Sequence, residues 1–126
     1  MIKTSKDSFF DGLEFCRPGN RLSDIGHAIQ TRVEANGFSV VIEYVGHGIG
    51  SQMHEDPQIK NYGDPGKGPV LAKGMALAIE PMINEGTYEV NVLGDEWTVV
   101  TRDGKLSAHY EHTVAVTENG PLILTM

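Results

Sequence analysis

The sequence predicts an α+β fold in which two helices cover one face of a mostly antiparallel sheet. Two observations support this class. Apolar residues recur at helical spacing in the first third of the chain, and short segments rich in β-branched residues fill the other two thirds. A chain of 126 residues suits one domain, so we expect residues 1–126 to fold as a single unit.

Two helices are expected before the first strand. The first should run over residues 5–16, because a Ser-Lys-Asp run at residues 5–7 can cap its start. The second should be capped by Ser23 and should end in a left-handed cap at Asn36 and Gly37. Their apolar stripes consist of Phe9, Leu13 and Cys16 in the first helix and Ile25, Ile29 and Val33 in the second.

The later segments read as strands separated by turns. Asp103 and Gly104 are typical of a hairpin turn between two of these strands. Residues 46–72 are rich in glycine and proline, which predicts a long irregular segment of the kind that often carries function. The expected strands are residues 38–44, 75–80, 87–93, 97–101, 107–116 and 122–125.

Composition argues against several classes of partner. With 10 basic and 17 acidic residues the formal net charge is −7, which disfavours binding to a nucleic-acid backbone or an anionic membrane. Cys16 is the one cysteine, so no internal disulfide can form, and we expect it to be a buried structural thiol. The first ten residues lack the apolar stretch of a signal peptide, and no apolar run approaches membrane-spanning length. These features predict a cytoplasmic protein.

Three motifs contain side chains suited to chemistry. They are GHGIG at residues 46–50 followed by HEDP at 54–57, AIEP at 78–81, and AHYEHT at 108–113. His47 lies between two glycines, and Glu80 closes an apolar strand beside the small Ala78. An imidazole with two carboxylates, here His47, Glu80 and Glu111, is a suitable ligand set for Mn, Fe, Co or Zn.

The pattern alone also allows simpler interpretations. Glu80 fits a strand-end carboxylate in water, and Glu111 fits a cross-strand ion pair. His112 should point away from Glu111 and fits a hydrogen-bonded core histidine. The three candidate ligands are far apart in sequence, so they bind a metal only if the fold brings them together. No metalloprotease helix motif, phosphate-binding loop or nucleophile elbow is present in the sequence.

Taken in order, the motifs resemble the type I methionine aminopeptidases over about residues 4–124. The resemblance adds Gly74-Met75, Pro81-Met82 and Trp97-Thr98-Val99 to the motifs above. It implies the C-terminal half of a pita-bread fold, with two helices packed on a curved, mostly antiparallel sheet. It also implies removal of the N-terminal methionine from peptides and nascent proteins by metal-activated water.

The resemblance also assigns roles position by position. His47, Glu80 and Glu111 look like metal ligands. His54 and Glu80 look like the catalytic residues, with His54 contacting the scissile amide and Glu80 transferring the proton. His54, Met53 and Trp97 fall at substrate-binding positions, where Met53 replaces a frequent aromatic residue. No other cofactor-binding residue is implied.

The sequence departs from the family pattern in one important respect. The family's two aspartate ligands and a further active-site histidine belong to the N-terminal half and have no counterpart in these 126 residues. The resemblance therefore implies one bound divalent ion rather than two. Three alternatives stay open: an enzyme half that is active with a missing N-terminal half, a metal- or peptide-binding domain without peptidase activity, and a half that associates with a second copy of itself.

Overall fold

A computed structural model of the chain describes residues 1–50, 52–96 and 98–125. Within these ranges it contains two helices followed by ten short strands, which confirms the α+β class. The helices are α1 (Ile2–Leu13) and α2 (Leu22–Ala35). The strands are β1 (Ser39–Val40), β2 (Gly46–Gly48), β3 (Glu55–Ile59), β4 (Ala76–Ile79), β5 (Met82–Asn84), β6 (Val90–Val92), β7 (Val99–Thr101), β8 (Ser107–His109), β9 (His112–Thr117) and β10 (Gly120–Ile123).

The largest sheet has five antiparallel strands in the order β10-β9-β4-β2-β3. Ala78 of β4 lies opposite His47 of β2 on one side and opposite Thr113 of β9 on the other. Two smaller antiparallel sheets have the orders β1-β5-β8 and β6-β7. Because side chains alternate along a strand, the register of the central strands decides which residues share the face that carries the candidate site.

The apolar stripes of both helices pack against the central sheet in one buried cluster. Removal of these side chains from water is the main driving force for the fold. Gly12 of α1 lets the two helices approach, since a Cβ there would lie 3.0 Å from Cγ1 of Ile29. The largest fully buried members of the cluster are Phe9, Ile25, Ile29, Val33, Ile59, Leu71, Leu77, Ile79, Ile83, Val114 and Val116.

Helix α2 rests directly on the backbone that follows β3. A Cβ at Gly26 would lie 2.5 Å from the carbonyl oxygen of Lys60, so only glycine allows this contact. The N–H of Gly63 donates to Oε1 of Gln30 at 2.9 Å, and Nδ1 of His27 lies 3.0 Å from the Gly63 carbonyl oxygen. These contacts fix residues 60–63 between the helix layer and the sheet.

The helix starts differ from the expected ones. Helix α1 begins at Ile2 without a side-chain cap, so the predicted cap at residues 5–7 lies inside the helix. Helix α2 is capped at Arg21 and not at Ser23, because the carboxylate of Asp24 accepts the Arg21 N–H at 2.8 Å. The left-handed cap is confirmed at Gly37, which has φ +81° and donates to the carbonyl of Glu34 at 3.0 Å.

Several predicted strands are shorter or divided. The expected strand over residues 107–116 is two strands, because β8 pairs with β5 and β9 pairs with β4 in different sheets. The turn at Gly104 exists, with φ +76°, but it joins β7 to β8, which do not pair, so the hairpin prediction is wrong. The expected strand over 38–44 is reduced to β1, and the segment expected to be irregular contains β2 and β3.

No helix in the described part of the chain is both long and apolar enough to cross a bilayer.

Candidate metal centre

The structure brings His47, Glu80 and Glu111 together on one face of the central sheet. One ligand atom from each side chain lies within 4.8 Å of the other two. His47 belongs to β2, whereas Glu80 follows β4 and Glu111 precedes β9. His47 and Glu80 are half-buried and Glu111 is exposed, so the cluster lies at the edge of the solvent.

The strand register accounts for this convergence. Ala78 and Thr113 are directly opposite each other, so their side chains share a face. Glu80 lies two residues beyond Ala78, and Glu111 lies two residues before Thr113 on the antiparallel neighbour. Both carboxylates are therefore directed to that same face. His47 lies opposite the small Ala78 on the other side, which leaves room for its imidazole.

The two glutamates also lie at a shared bend between sheets. Glu80 and Pro81 connect β4 to β5, and Tyr110 and Glu111 connect β8 to β9. These two-residue connections face each other, and the Tyr110 N–H donates to the Pro81 carbonyl at 3.1 Å. The two connections therefore leave the central sheet side by side. Neither glutamate lies within a paired strand there.

His47 is oriented as a ligand would be. Its Nδ1 lies 3.1 Å from the carbonyl oxygen of Gly48, which can only accept, so Nδ1 carries the hydrogen. The lone pair is then on Nε2, which lies 3.2 Å from Oε2 of Glu80. Metal-binding histidines are commonly held by such a bond from the other ring nitrogen. Two acceptor atoms facing each other require a proton or a cation between them.

The electrostatics of Glu80 support the same conclusion. Burial, and then the charge of Glu111, raise the pKa of Glu80 from 4.5 to about 7, although His47 opposes the shift. Two carboxylates this close together, one of them half-buried, lack sufficient neighbouring positive charge. The donor set fits a divalent cation, which would neutralise both carboxylates.

Of the predicted substrate-site residues, His54 lies beside the cluster. The rings of His54 and His47 have centroids 4.2 Å apart. Both line an open cavity of about 560 Å³ that also includes Gln52 and Gln58. Met53 is 74% exposed and is not among the residues lining that cavity. Trp97 lies outside the described residues.

Other predictions about single residues can be compared with the structure. His112 donates to or accepts from Tyr110 Oη at 3.1 Å and Thr125 Oγ1 at 2.7 Å, and its ring packs on Phe9. His112 is therefore hydrogen-bonded as expected, but it is only partly buried. Cys16 is fully buried, and burial raises its thiol pKa to about 12, as expected for a structural thiol.

Sequence reasoning missed Asn61, which lies directly behind Glu80. The Asn61 side chain is fully buried, and its Nδ2 donates to the main-chain carbonyl of Glu80 at 3.3 Å. The one signal available in sequence is its type, since asparagine is rarely buried without a specific partner. Nothing in the local pattern names that partner.

Comparisons with known proteins place the chain among metallopeptidases. Residues 1–118 match metallopeptidase family M24. The whole chain is 60% identical to a methionine aminopeptidase of Clostridium acetobutylicum, and 99% of it is 58% identical to methionine aminopeptidase 1 of Bacillus subtilis. The crystal structure of methionine aminopeptidase from Rickettsia prowazekii superposes with a TM-score of 0.97 at 48% identity, over 99% of this chain.

The chain spans about half the length of the relatives it matches, since it covers 50% of the two sequences and 51% of the crystallised chain. It corresponds to their C-terminal half, and the close superposition confirms the expected half of a pita-bread fold. Family membership also implies a divalent metal, which the His47, Glu80 and Glu111 donor set suits. With 118 of its 126 residues matched, the chain belongs to metallopeptidase family M24.

Proposed function

We propose that this chain binds one divalent cation through His47, Glu80 and Glu111 and contributes that ion to a methionyl aminopeptidase site. The observation that carries the proposal is the convergence of an oriented imidazole and two carboxylates within 4.8 Å. Its proposed substrate is the N-terminal methionine of peptides and nascent proteins. The names of the relatives with 60% and 58% identity support this choice.

The ligand chemistry limits the identity of the ion. One imidazole and two carboxylates suit Mn, Fe, Co or Zn, and three protein ligands suffice for one ion rather than two. When bound, a divalent cation acts as a Lewis acid that lowers the pKa of water and so supplies a nucleophile near neutral pH.

The chain's own residues supply the remaining steps. The Glu80 carboxylate, which lies in the cluster beside His47, can take a proton from water and pass it to the leaving amine. His54 faces the same cavity as His47 and can donate a hydrogen bond to the oxygen that becomes negative during amide attack. Met53 and Trp97 are proposed, from the resemblance, to contact the methionine side chain.

A second candidate function is metal or peptide binding without catalysis. The observation that favours it is the composition of the cluster, which offers three possible ligands among the described residues and leaves Glu111 exposed. Such a half-site can hold an ion while lacking groups that complete the substrate pocket.

The proposal includes partners and a location. The proposed partner is an N-terminal half of the same fold, with a second copy of this chain as the alternative. Addition of the N-terminal half of a related aminopeptidase should restore or increase methionine release, and the mass in solution at high protein concentration reports self-association. The proposed location is the cytoplasm, which cell fractionation tests.

The first test is methionine release from a short Met-Ala-initiated peptide, with Mn²⁺ or Co²⁺ added. Glu80→Gln removes one carboxylate from the cluster, and Glu118→Gln makes the same charge change at an exposed turn, where Glu118 pairs only with Lys73 among the ion pairs described. Release that is abolished in Glu80→Gln and kept in Glu118→Gln would establish catalysis by this chain.

Calorimetric titration with Mn²⁺ separates the two candidate functions. One ion bound per chain without methionine release, either alone or with the added N-terminal half, would support the binding function. An unchanged Mn²⁺ affinity in Glu80→Gln would contradict both the aminopeptidase function and metal binding without catalysis, because both require the same three ligands.

A further inference from the structure

Asn61 is a buried polar residue whose side chain contacts the main chain of Glu80. It follows the end of β3 and is 0% exposed. Its Nδ2 donates to the main-chain oxygen of Glu80 at 3.3 Å, across 19 positions of sequence. Its Oδ1 has no hydrogen-bond partner among the residues that the structure describes. The one hydrogen bond described for the Asn61 side-chain amide is therefore the bond to Glu80, which belongs to the metal cluster.

The Glu80 side chain contacts His47 and Glu111, whereas its main chain lies where the strand ladder has ended. It lies outside β4 and β5, in the bend between the central sheet and the three-stranded sheet. The next residue, Pro81, has no N–H to donate to a neighbouring strand. The bond from Asn61 therefore restrains the peptide plane between Glu80 and Pro81, from which the Glu80 side chain projects towards His47.

Asn61 is itself held firmly by the helix layer. On either side of it, the carbonyl oxygens of Lys60 and Tyr62 lie against Gly26 of α2, at 2.5 and 2.7 Å from the position of a Cβ there. Gly63 is bonded to Gln30 of the same helix. Asn61 therefore connects a rigid helix to the bend that carries Glu80.

Stability alone does not explain an asparagine at this position. The Asn61 amide satisfies the Glu80 carbonyl but leaves its own Oδ1 without a described partner, so its two polar atoms have opposite effects on stability. Buried polar groups with this balance are better explained by the geometry they impose than by the stability they add.

We propose that Asn61 is a positioning residue for the metal cluster, because its buried amide holds the Glu80 carbonyl so that the Glu80 carboxylate meets His47 and Glu111. The consequence for metal affinity rests on the proposed function. The positioning itself is tested separately, by a measurement made without metal.

The test compares Asn61→Leu with Asn84→Leu in this chain. Asn84 is a matched control because it is also 0% exposed, donates from Nδ2 to a main-chain oxygen (Thr87, 2.9 Å) and has an unpaired Oδ1 in the described structure. We expect the Mn²⁺ dissociation constant to rise by roughly tenfold in Asn61→Leu, the low end for lost outer contacts of ligands. It should stay unchanged in Asn84→Leu, and both variants should lose a similar amount of stability, because each leaves one main-chain carbonyl without its donor.

A metal-free measurement separates this inference from the proposed function. In NMR spectra recorded with chelator, Asn61→Leu should shift the side-chain signals of His47, Glu80 and Glu111, and Asn84→Leu should leave them in place. Unmoved signals would overturn the positioning role. Absence of Mn²⁺ binding by the wild type would instead contradict the proposed function and leave the NMR comparison decisive for Asn61.

A smaller polar replacement covers the case in which leucine disrupts folding. Asn61→Ser stays polar but is too short to reach the Glu80 carbonyl, so it should reproduce both the weaker Mn²⁺ binding and the shifted signals. Wild-type behaviour of a folded Asn61→Ser protein would also overturn the proposal.

Discussion

At the scale of single residues, Glu80 is placed where its two protonation states have opposite effects. Protonated, it is neutral beside Glu111 and can bridge to the free Nε2 of His47, which lies 3.2 Å away. Ionised, it is costly to keep half-buried beside a second carboxylate, but it is the form that a cation needs. Stability without metal and affinity for metal therefore favour different forms of the same side chain.

This opposition predicts a pH dependence of folding. The pKa of Glu80 is raised from 4.5 to about 7 in the folded chain. Its contribution to stability is thus fully present below pH 4.5, declines as the pH rises, and is lost above pH 7. We expect the free energy of unfolding in chelator to fall by roughly 2 kcal/mol more over that interval in the wild type than in Glu80→Gln. Urea unfolding at several pH values measures this, and parallel curves for the two proteins would contradict it.

Cys16 gives a second prediction at this scale. Burial raises the pKa of its thiol to about 12, and the thiolate is the reactive form. At pH 8 we expect iodoacetamide to leave the native protein unmodified and to alkylate the urea-unfolded protein rapidly. Mass spectrometry after timed quenching measures both rates, and fast alkylation of the native protein would show that the thiol is accessible.

Residues differ in how well sequence identifies them. His47, Glu80 and Glu111 could be selected because their motifs contain chemistry-bearing side chains next to small or apolar neighbours. Asn61 could not, because its role depends on a contact with a carbonyl 19 positions away. Every residue has a main-chain carbonyl, so no sequence pattern shows which carbonyl accepts this hydrogen bond.

At the scale of elements, the two connections that bear the glutamates explain the main error in strand prediction. Residues 107–116 alternate in a way that suits one strand, yet the chain divides at Tyr110 and Glu111. It divides there because the neighbouring segment passes from β4 to β5 at Glu80 and Pro81. The two antiparallel segments therefore change sheet at the same place. Alternation reports which face a residue occupies and does not report where a partner strand ends.

The contact of α2 with the segment after β3 yields a prediction about Gly26. Alanine normally favours a helix over glycine by about 1 kcal/mol. At Gly26, however, a Cβ would lie 2.5 Å from a main-chain oxygen that cannot move freely. We expect Gly26→Ala to destabilise the protein by about 2 kcal/mol, as in other overpacked sites, and to weaken Mn²⁺ binding because the segment containing Asn61 shifts.

Gly12→Ala is the control for that substitution. The three atoms nearest to a Cβ at Gly12 would be side-chain atoms of Ile29 and Ile25, at 3.0 to 3.2 Å, and those side chains can rotate. Thermal unfolding should therefore show a clearly smaller loss for Gly12→Ala, with unchanged Mn²⁺ affinity. Equal losses in the two variants would mean that the contact with the Lys60 carbonyl is not specially rigid.

At the scale of the whole molecule, one buried cluster joins both helices to the central sheet. Such a continuous core is typical of a unit that folds cooperatively. We expect thermal unfolding curves from far-ultraviolet and near-ultraviolet circular dichroism to coincide, which would support a single domain over residues 1–126. An earlier loss of the near-ultraviolet signal would indicate that part of the chain unfolds separately.

The fold class could be predicted from the sequence because it depends on local periodicity. The predicted division into an early helical part and a later strand part is correct. The sheet order was not, because β4 lies between β2 and β9 and is separated from both by long connections. Such pairings depend on contacts between segments that are far apart in sequence. Local patterns, which determine individual strands, carry no information about them.

The pairing of Ala78 with Thr113 has a further consequence for how the chain reaches its native state. If β9 paired with β4 one residue out of register, Glu111 would turn towards the helices and His112 would take its place on the open face. A misaligned chain would therefore lack the three-ligand cluster altogether. A cation that bound the native cluster would therefore favour this strand alignment over a slipped one by its binding free energy.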